Sequence, residues 1–191
     1  MAGVITDLLL ILTIIAHVLL AQAIPLEIVC TQTRAGKMVA KSWVSNAIYI
    51  GGGLALTAAH CIKRPGWKFD TLKAGKKGRA TVIKNDGKVA LIQVTPSGYE
   101  GVTAARLPDW TRTKVTSGEY LEHRFYDHDL KHYTTRRVRW VGRSKILEKF
   151  RMGMSGSGVY KAGGQLVGIA ELQDGTVWTI ADIESLMVGR E

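Results

Sequence analysis

Short apolar runs interrupted by glycine set the tightest limit on what this chain can fold into. Glycines gather at residues 51–53, 75–78, 153–158 and 163–164, and most segments between them are too short for helices. Many of these segments alternate apolar and polar residues, the period of a half-buried strand. Residues 38–50 are rich in β-branched and aromatic side chains, and after the Gly51-Gly52-Gly53 turn residues 54–57 return. Residues 67–73, 79–84 and 89–95 continue the pattern. Residues 102–113 contain Pro108 and little alternation, which predicts a linker. Further strands are expected at 115–125, 133–141, 158–161, 165–172 and 176–180. Ile183, Leu186 and Met187 have helical spacing and predict a short C-terminal helix over 181–188. No repeat of fixed period is present. In 191 residues, two halves of short strands predict an all-β chain of two packed antiparallel barrels, covering residues 24–105 and 106–191.

The first 23 residues stand apart. Residues 8–23 are apolar except for Thr13, His17 and Gln22, a length between a signal-peptide core and a full membrane span. Ala21-Gln22-Ala23 fits a small-x-small cleavage pattern, whereas Asp7 and the lack of Lys or Arg do not fit a signal n-region. A membrane-directed helix, anchor or signal, is expected over 1–23, making the chain membrane-associated or secreted.

Net charge is +10, and much of the excess lies in Arg124, Lys131, Arg136, Arg137, Arg139, Arg143 and Lys145. Such a stretch could attract phosphates or an anionic membrane, but a solvated strand face explains it better than nucleic-acid binding does, and no RNA-binding motif surrounds Tyr133 or Trp140. Cys30 and Cys61 lack metal-ligand spacing; they are either one disulfide or two buried thiols. No cofactor is implied.

Two segments carry chemistry. In Gly153-Met154-Ser155-Gly156-Ser157-Gly158, glycines on both sides of Ser155 permit a tight turn that exposes a hydroxyl and leaves backbone N–H groups facing a developing oxyanion. In Leu56-Thr57-Ala58-Ala59-His60-Cys61, an apolar strand ends in small residues and then an imidazole. Each alone is weak. Together, in separate halves with histidine first, they predict a cleft between the halves where the two side chains meet.

Thr57-Ala58-Ala59-His60-Cys61 together with Gly153-x-Ser155-Gly156 resembles the trypsin-like (chymotrypsin-fold) serine peptidases, most closely the compact viral or bacterial members. Ala105-Arg106-Leu107-Pro108 is similar to that family's connection between barrels, and Gly164-Gln165-Leu166-Val167-Gly168-Ile169 to the strand following its nucleophile. The resemblance spans roughly residues 41–187. It implies that Ser155 attacks the scissile carbonyl, that His60 takes and returns the proton, and that the N–H groups of Gly153 and Ser155 bind the oxyanion. It places the acid directly before Val89-Ala90-Leu91-Ile92, where this chain has Lys88; Asp86 lies two residues earlier, either as the acid or as a plain Asp-Gly turn, with Asp70 as the second candidate. Met154 stands where trypsin-type zymogens have an acid to receive a new N-terminus, so no such activation is expected. The resemblance puts Lys149, six residues before Ser155, at the floor of the specificity pocket, with Phe150, Arg151, Ala170 and Leu172 nearby. A cation there would favour cleavage after Glu, and a cut after Glu191 would then generate the C-terminus seen in this sequence. If instead Lys149 points to solvent, Phe150 lines an apolar pocket.

The expected function is peptide hydrolysis by Ser155, His60 and Asp86, acting on polypeptide substrates that include the chain's own viral polyprotein. A different class of function, a weak or dead protease fold that binds RNA or anionic membrane through the arginine-rich stretch, is favoured by Lys88 and opposed by the intact Ser155 and His60.

Overall fold

The computed structural model describes residues 23–62, 66–107, 114–171, 173–179, 182, 183 and 186. Six strands, β1 (Ala23–Arg34), β2 (Lys37–Gly51), β3 (Leu54–Ala58), β4 (Lys68–Ala74), β5 (Gly78–Asn85) and β6 (Val89–Val94), close into a barrel in the order β1-β2-β3-β6-β5-β4. A one-turn helix, α1 (Ala59–Ile62), follows β3, and another, α2 (Pro96–Tyr99), follows β6.

The second half forms a six-stranded sheet in the order β12-β11-β10-β7-β8-β9. Its strands are β7 (Tyr120–Asp127), β8 (His132–Gly142), β9 (Lys145–Ile146), β10 (Gly158–Tyr160), β11 (Leu166–Ala170) and β12 (Val177–Thr179). A bridge between Lys145 and Thr176, with the Ile146 N–H donating to Gly175 O and the Val177 N–H to Ser144 O, joins its edges into a second barrel. The architecture is the two-barrel chymotrypsin-like fold.

β1 corrects the strand reading of the first half. Ile24, Leu26, Ile28 and Cys30 alternate inward while Glu27, Val29 and Thr31 lie between them, and β1 pairs with both β2 and β4, closing the barrel. Ala23, assigned to the apolar segment, is the first residue of that strand. The rest of the apolar segment lies outside the described residues. Asp182, Ile183 and Leu186 are helical, and the remainder of the C-terminal helix, with Glu191, also lies outside them.

Two apolar cores result. The first fills the β1–β6 barrel with side chains such as Ile28, Ile48, Leu56 and Ile92, and it also takes Tyr160, Leu166, Ile169, Ile183 and Leu186 from the second half. The second is built from Leu121, Phe125, Val138, Trp140, Phe150, Met154 and their neighbours. Burying each large apolar side chain contributes about 1.5–3 kcal/mol, so the shared residues bind the barrels to each other as well as filling them.

Strand parity also dissects the basic stretch. On β8, Val138 and Trp140 face the core, so Arg136 turns inward while Arg137 and Arg139 are exposed. Arg124 is buried and ion-paired to Glu122 at 2.6 Å, and Arg137 stacks over the Tyr120 ring at 3.8 Å. The stretch is therefore not one continuous cationic surface.

Candidate active site

β3 ends in small residues that are buried and tied to neighbouring backbone. Ala58 and Ala59 are buried, the Thr57 hydroxyl donates to Asn46 O at 2.7 Å, and the Ala59 N–H donates to Lys88 O at 2.9 Å. These bonds fix the start of α1 and present the partly exposed His60 at the rim of the barrel; its Nε2 lies 3.6 Å from Cys61 Sγ. Cys61 and Cys30 are both buried and are not joined in a disulfide, and the Ser45 hydroxyl reaches Cys61 Sγ at 2.9 Å.

The Ser155 turn is fixed by its carbonyls. Gly153 O accepts from Asn46 Nδ2 at 2.8 Å. Met154 O accepts from the Ser157 hydroxyl at 2.5 Å and the Ser157 N–H at 3.2 Å. Ser155 O accepts from the Asn46 N–H at 2.9 Å and the Ser45 hydroxyl at 2.8 Å. Gly156 has φ +82°, and a Cβ there would run into Asn46 O and Thr57 Oγ1, so glycine is required both by the backbone shape and by the approach of β2.

The N–H groups divide differently. Those of Met154, Gly156 and Ser157 donate to Arg151 O, Ala170 O and Met154 O. Those of Gly153 and Ser155 donate to no protein acceptor among the described residues. Two uncommitted donors beside a serine hydroxyl are what a tetrahedral oxyanion requires. At rest, Ser155 Oγ donates to Glu171 O at 2.7 Å. Burial pushes the Glu171 carboxyl up, with the nearby Asp174 and Asp182 adding to the rise and the Trp178 side chain opposing it.

His60 and Ser155 line one open cleft of about 890 Å³ between the barrels, together with Trp43 and Val44 on one side and Gly153 and Glu171 on the other. The family model for the trypsin-like peptidase domain matches residues 45–169, which include both side chains. This chain belongs to that family. Among solved structures, the trypsin-like fold is similar to Rv3671c from M. tuberculosis H37Rv, in the inactive form of a serine-to-alanine mutant, with TM-score 0.66 and 14% identity over 92% of this chain and 89% of that one. The active form of the Rv3671c protease gives TM-score 0.64 and 16% identity over 88% of this chain and 81% of that one. No curated protein matches the chain.

The other candidate residues of this trypsin-like domain are dispersed. Asp86 sits in the β5–β6 hairpin loop, exposed, where its Oδ1 accepts from the N–H groups of Lys88 and Val89, both at 2.8 Å. Lys88 turns its ammonium away to Asp182 at 2.7 Å and over the Trp178 ring, and the hydrogen bond it donates to the Asp182 carboxylate raises its pKa. Asp70 is exposed on β4, a strand that pairs with β1 and β5 rather than with β3.

Lys149 is exposed and does not line the cleft; its carbonyl accepts from Arg136 at 3.0 Å. Phe150 is buried in the second core, so its neighbours Lys149 and Arg151 turn outward, and Arg151 pairs with Asp127 at 2.7 Å. Ala170 is buried and Leu172 lies outside the described residues. Ser45, Asn46, His123 and Ser157, which sequence reasoning passed over, are all buried polar residues around the Ser155 turn.

Proposed function

We propose that this chain is a serine endopeptidase in which Ser155 is the nucleophile, His60 the general base and then acid, and the N–H groups of Gly153 and Ser155 the oxyanion hole. The observation that carries the reading is the shared cleft: one barrel supplies the imidazole, the other supplies a hydroxyl flanked by two uncommitted donors. Before attack, the Ser155 hydroxyl turns from Glu171 O to His60, which draws off its proton as Oγ bonds to the carbonyl carbon. The imidazolium then protonates the leaving amine, and water repeats the sequence on the acyl-enzyme. A fluorophosphonate tests this reading, since it labels only an activated serine: labelling is expected in the native chain and not in Ser155→Ala. Native protein that neither labels nor cleaves peptides would instead favour a binding role.

For the third member we assign Asp86. Its support is the Ala59 N–H to Lys88 O bond, which ties the loop after Asp86 to the residue before His60. Asp86→Asn should lower kcat by about 10⁴-fold if the carboxylate orients the imidazole. A loss below about tenfold with a lowered Tm would leave Asp86 the role of a turn residue alone.

The substrate class is polypeptide, and processing of the chain's own polyprotein at a membrane rests on the apolar run over residues 8–23. Among the described residues no helix is long and apolar enough to cross a membrane. Cleavage after Glu rests on the place of Lys149 in the sequence, whereas the cleft itself is lined by the carboxylates of Asp129, Glu171 and Asp174 against Lys41. In a peptide library we therefore expect substrates with Glu before the cut to be no better than those with Gln. A Glu preference that disappears in Lys149→Glu would return the specificity to Lys149.

A further inference from the structure

Three strands of the second barrel bring a row of buried polar groups up to the back of the Ser155 turn. On β7, His123 stands directly opposite Arg136 of β8 and Val159 of β10, and β10 begins immediately after Ser157. His123 is 0% exposed, its ring stacked on Phe125 and edge-on to Phe150. Arg136 Nε donates to His123 Nδ1 at 3.0 Å, and its guanidinium lies over the Phe125 and Phe150 rings. His123 Nε2 lies 2.6 Å from Ser157 Oγ, which in turn donates to Met154 O at 2.5 Å.

The direction of every proton in this row follows from its first member. A guanidinium only donates, so His123 Nδ1 must accept. The neutral imidazole then carries its proton on Nε2 and donates to Ser157 Oγ. That hydroxyl has its own proton left for Met154 O. Burial, with the adjacent Arg136 charge, holds the His123 pKa well below the usual histidine range, which keeps the ring neutral at pH 7.

The row ends on the peptide bond that matters most to the reaction. Met154 C=O and Ser155 N–H belong to the same planar trans peptide and point in opposite directions. Drawing the carbonyl into the core aims the N–H into the cleft. We propose that Arg136, His123 and Ser157 are positioning residues, a one-way hydrogen-bond chain that orients and polarises the Ser155 N–H as an oxyanion donor. Each donor along it strengthens the next, because hydrogen bonds in series polarise one another in a low-dielectric interior. The chain runs without a new N-terminus, consistent with Met154 in place of a zymogen acid. Asn46, holding Gly153 O from the other barrel, does not belong to it.

This inference rests on the peptidase reading, and two measurements separate their failures. In steady-state hydrolysis, Ser157→Ala should lower kcat by about 10- to 10³-fold, up to the loss caused by deleting an oxyanion donor outright, with little change in KM. The affinity of a peptide aldehyde, which forms a tetrahedral adduct, should fall in parallel, while that of the cleaved peptide product should not. In ¹⁵N NMR of the native chain at pH 7, His123 should be neutral with its proton on Nε2. If the native chain does not hydrolyse peptides, the peptidase reading falls and the positioning role falls with it. If native and folded Ser157→Ala chains are equally active, or His123 carries its proton on Nδ1, only the hydrogen-bond chain is overturned.

Discussion

Ser155→Ala and His60→Ala should each lower kcat by about 10⁶-fold, and the double variant should be no worse than either single one. Nucleophile and base act on one proton in one step, so removing either leaves the other without a task, and losses within such a unit do not add. What remains comes from substrate binding and the two oxyanion donors. The fold should survive. Ser155 Oγ makes one bond, to Glu171 O, and losing it costs about 1 kcal/mol at a partly exposed site. The checks are hydrolysis of a fluorogenic peptide and thermal unfolding of the same preparations. Substantial turnover in pure Ser155→Ala would end the serine assignment.

Asn46→Ala should lower Tm by about 6 °C or more and should also reduce kcat at temperatures where the variant remains folded. The Asn46 amide is fully buried between the barrels. Its Nδ2 donates to Gly153 O at 2.8 Å and Tyr126 O at 3.2 Å, and its Oδ1 accepts the Tyr126 N–H at 2.8 Å. Alanine leaves three partly buried backbone groups without that partner, at about 1 kcal/mol or more each. A total of about 3 kcal/mol or more is a large share of the stability of a domain this size, and each kcal/mol moves Tm by about 2–4 °C. The kinetic effect has a separate source: Gly153 O loses its tether, and the turn carrying the oxyanion donors loosens with it. Asn46→Asp should also be destabilising, because a carboxylate cannot donate to Gly153 O. A Tm within about 2 °C of the native value would show that water or a shifted side chain replaces the amide.

His60 and Ser155, which the fold brings to one cleft, were legible in the sequence because their signals are local. Histidine after a small-residue strand end and serine between glycines each need only their neighbours to be recognised. β1 was missed: Ile24, Leu26, Ile28 and Cys30 do alternate, but the apolar run before them and Pro25 among them mask the change of period. The supports of the site were not legible either. Asn46 meets partners 80 and 107 residues away, and Ser157 meets His123 across 34. In a strand pattern these residues count only as polar, and nothing nearby marks them as buried. The exposed position of Lys149, away from the cleft lining, was hidden for a related reason. Distance from Ser155 along the chain does not set a side chain's direction, and burial of Phe150 turns its neighbour outward.

The sharing of the first core has a consequence for the order in which the protein comes into being. Its barrel strands end at Val94, yet Tyr160, Leu166, Ile169, Ile183 and Leu186 complete its packing. Synthesis at about 5–20 residues per second puts roughly 5–20 s between His60 and Ser155 leaving the ribosome, and still longer before Ile183 and Leu186 appear. Through that interval the histidine-bearing half has an uncovered apolar flank, and His60 has no Ser155 to meet. On the roles proposed above, hydrolysis must wait for the second half, so a copy of which only the first half has emerged has no means of cutting its neighbours.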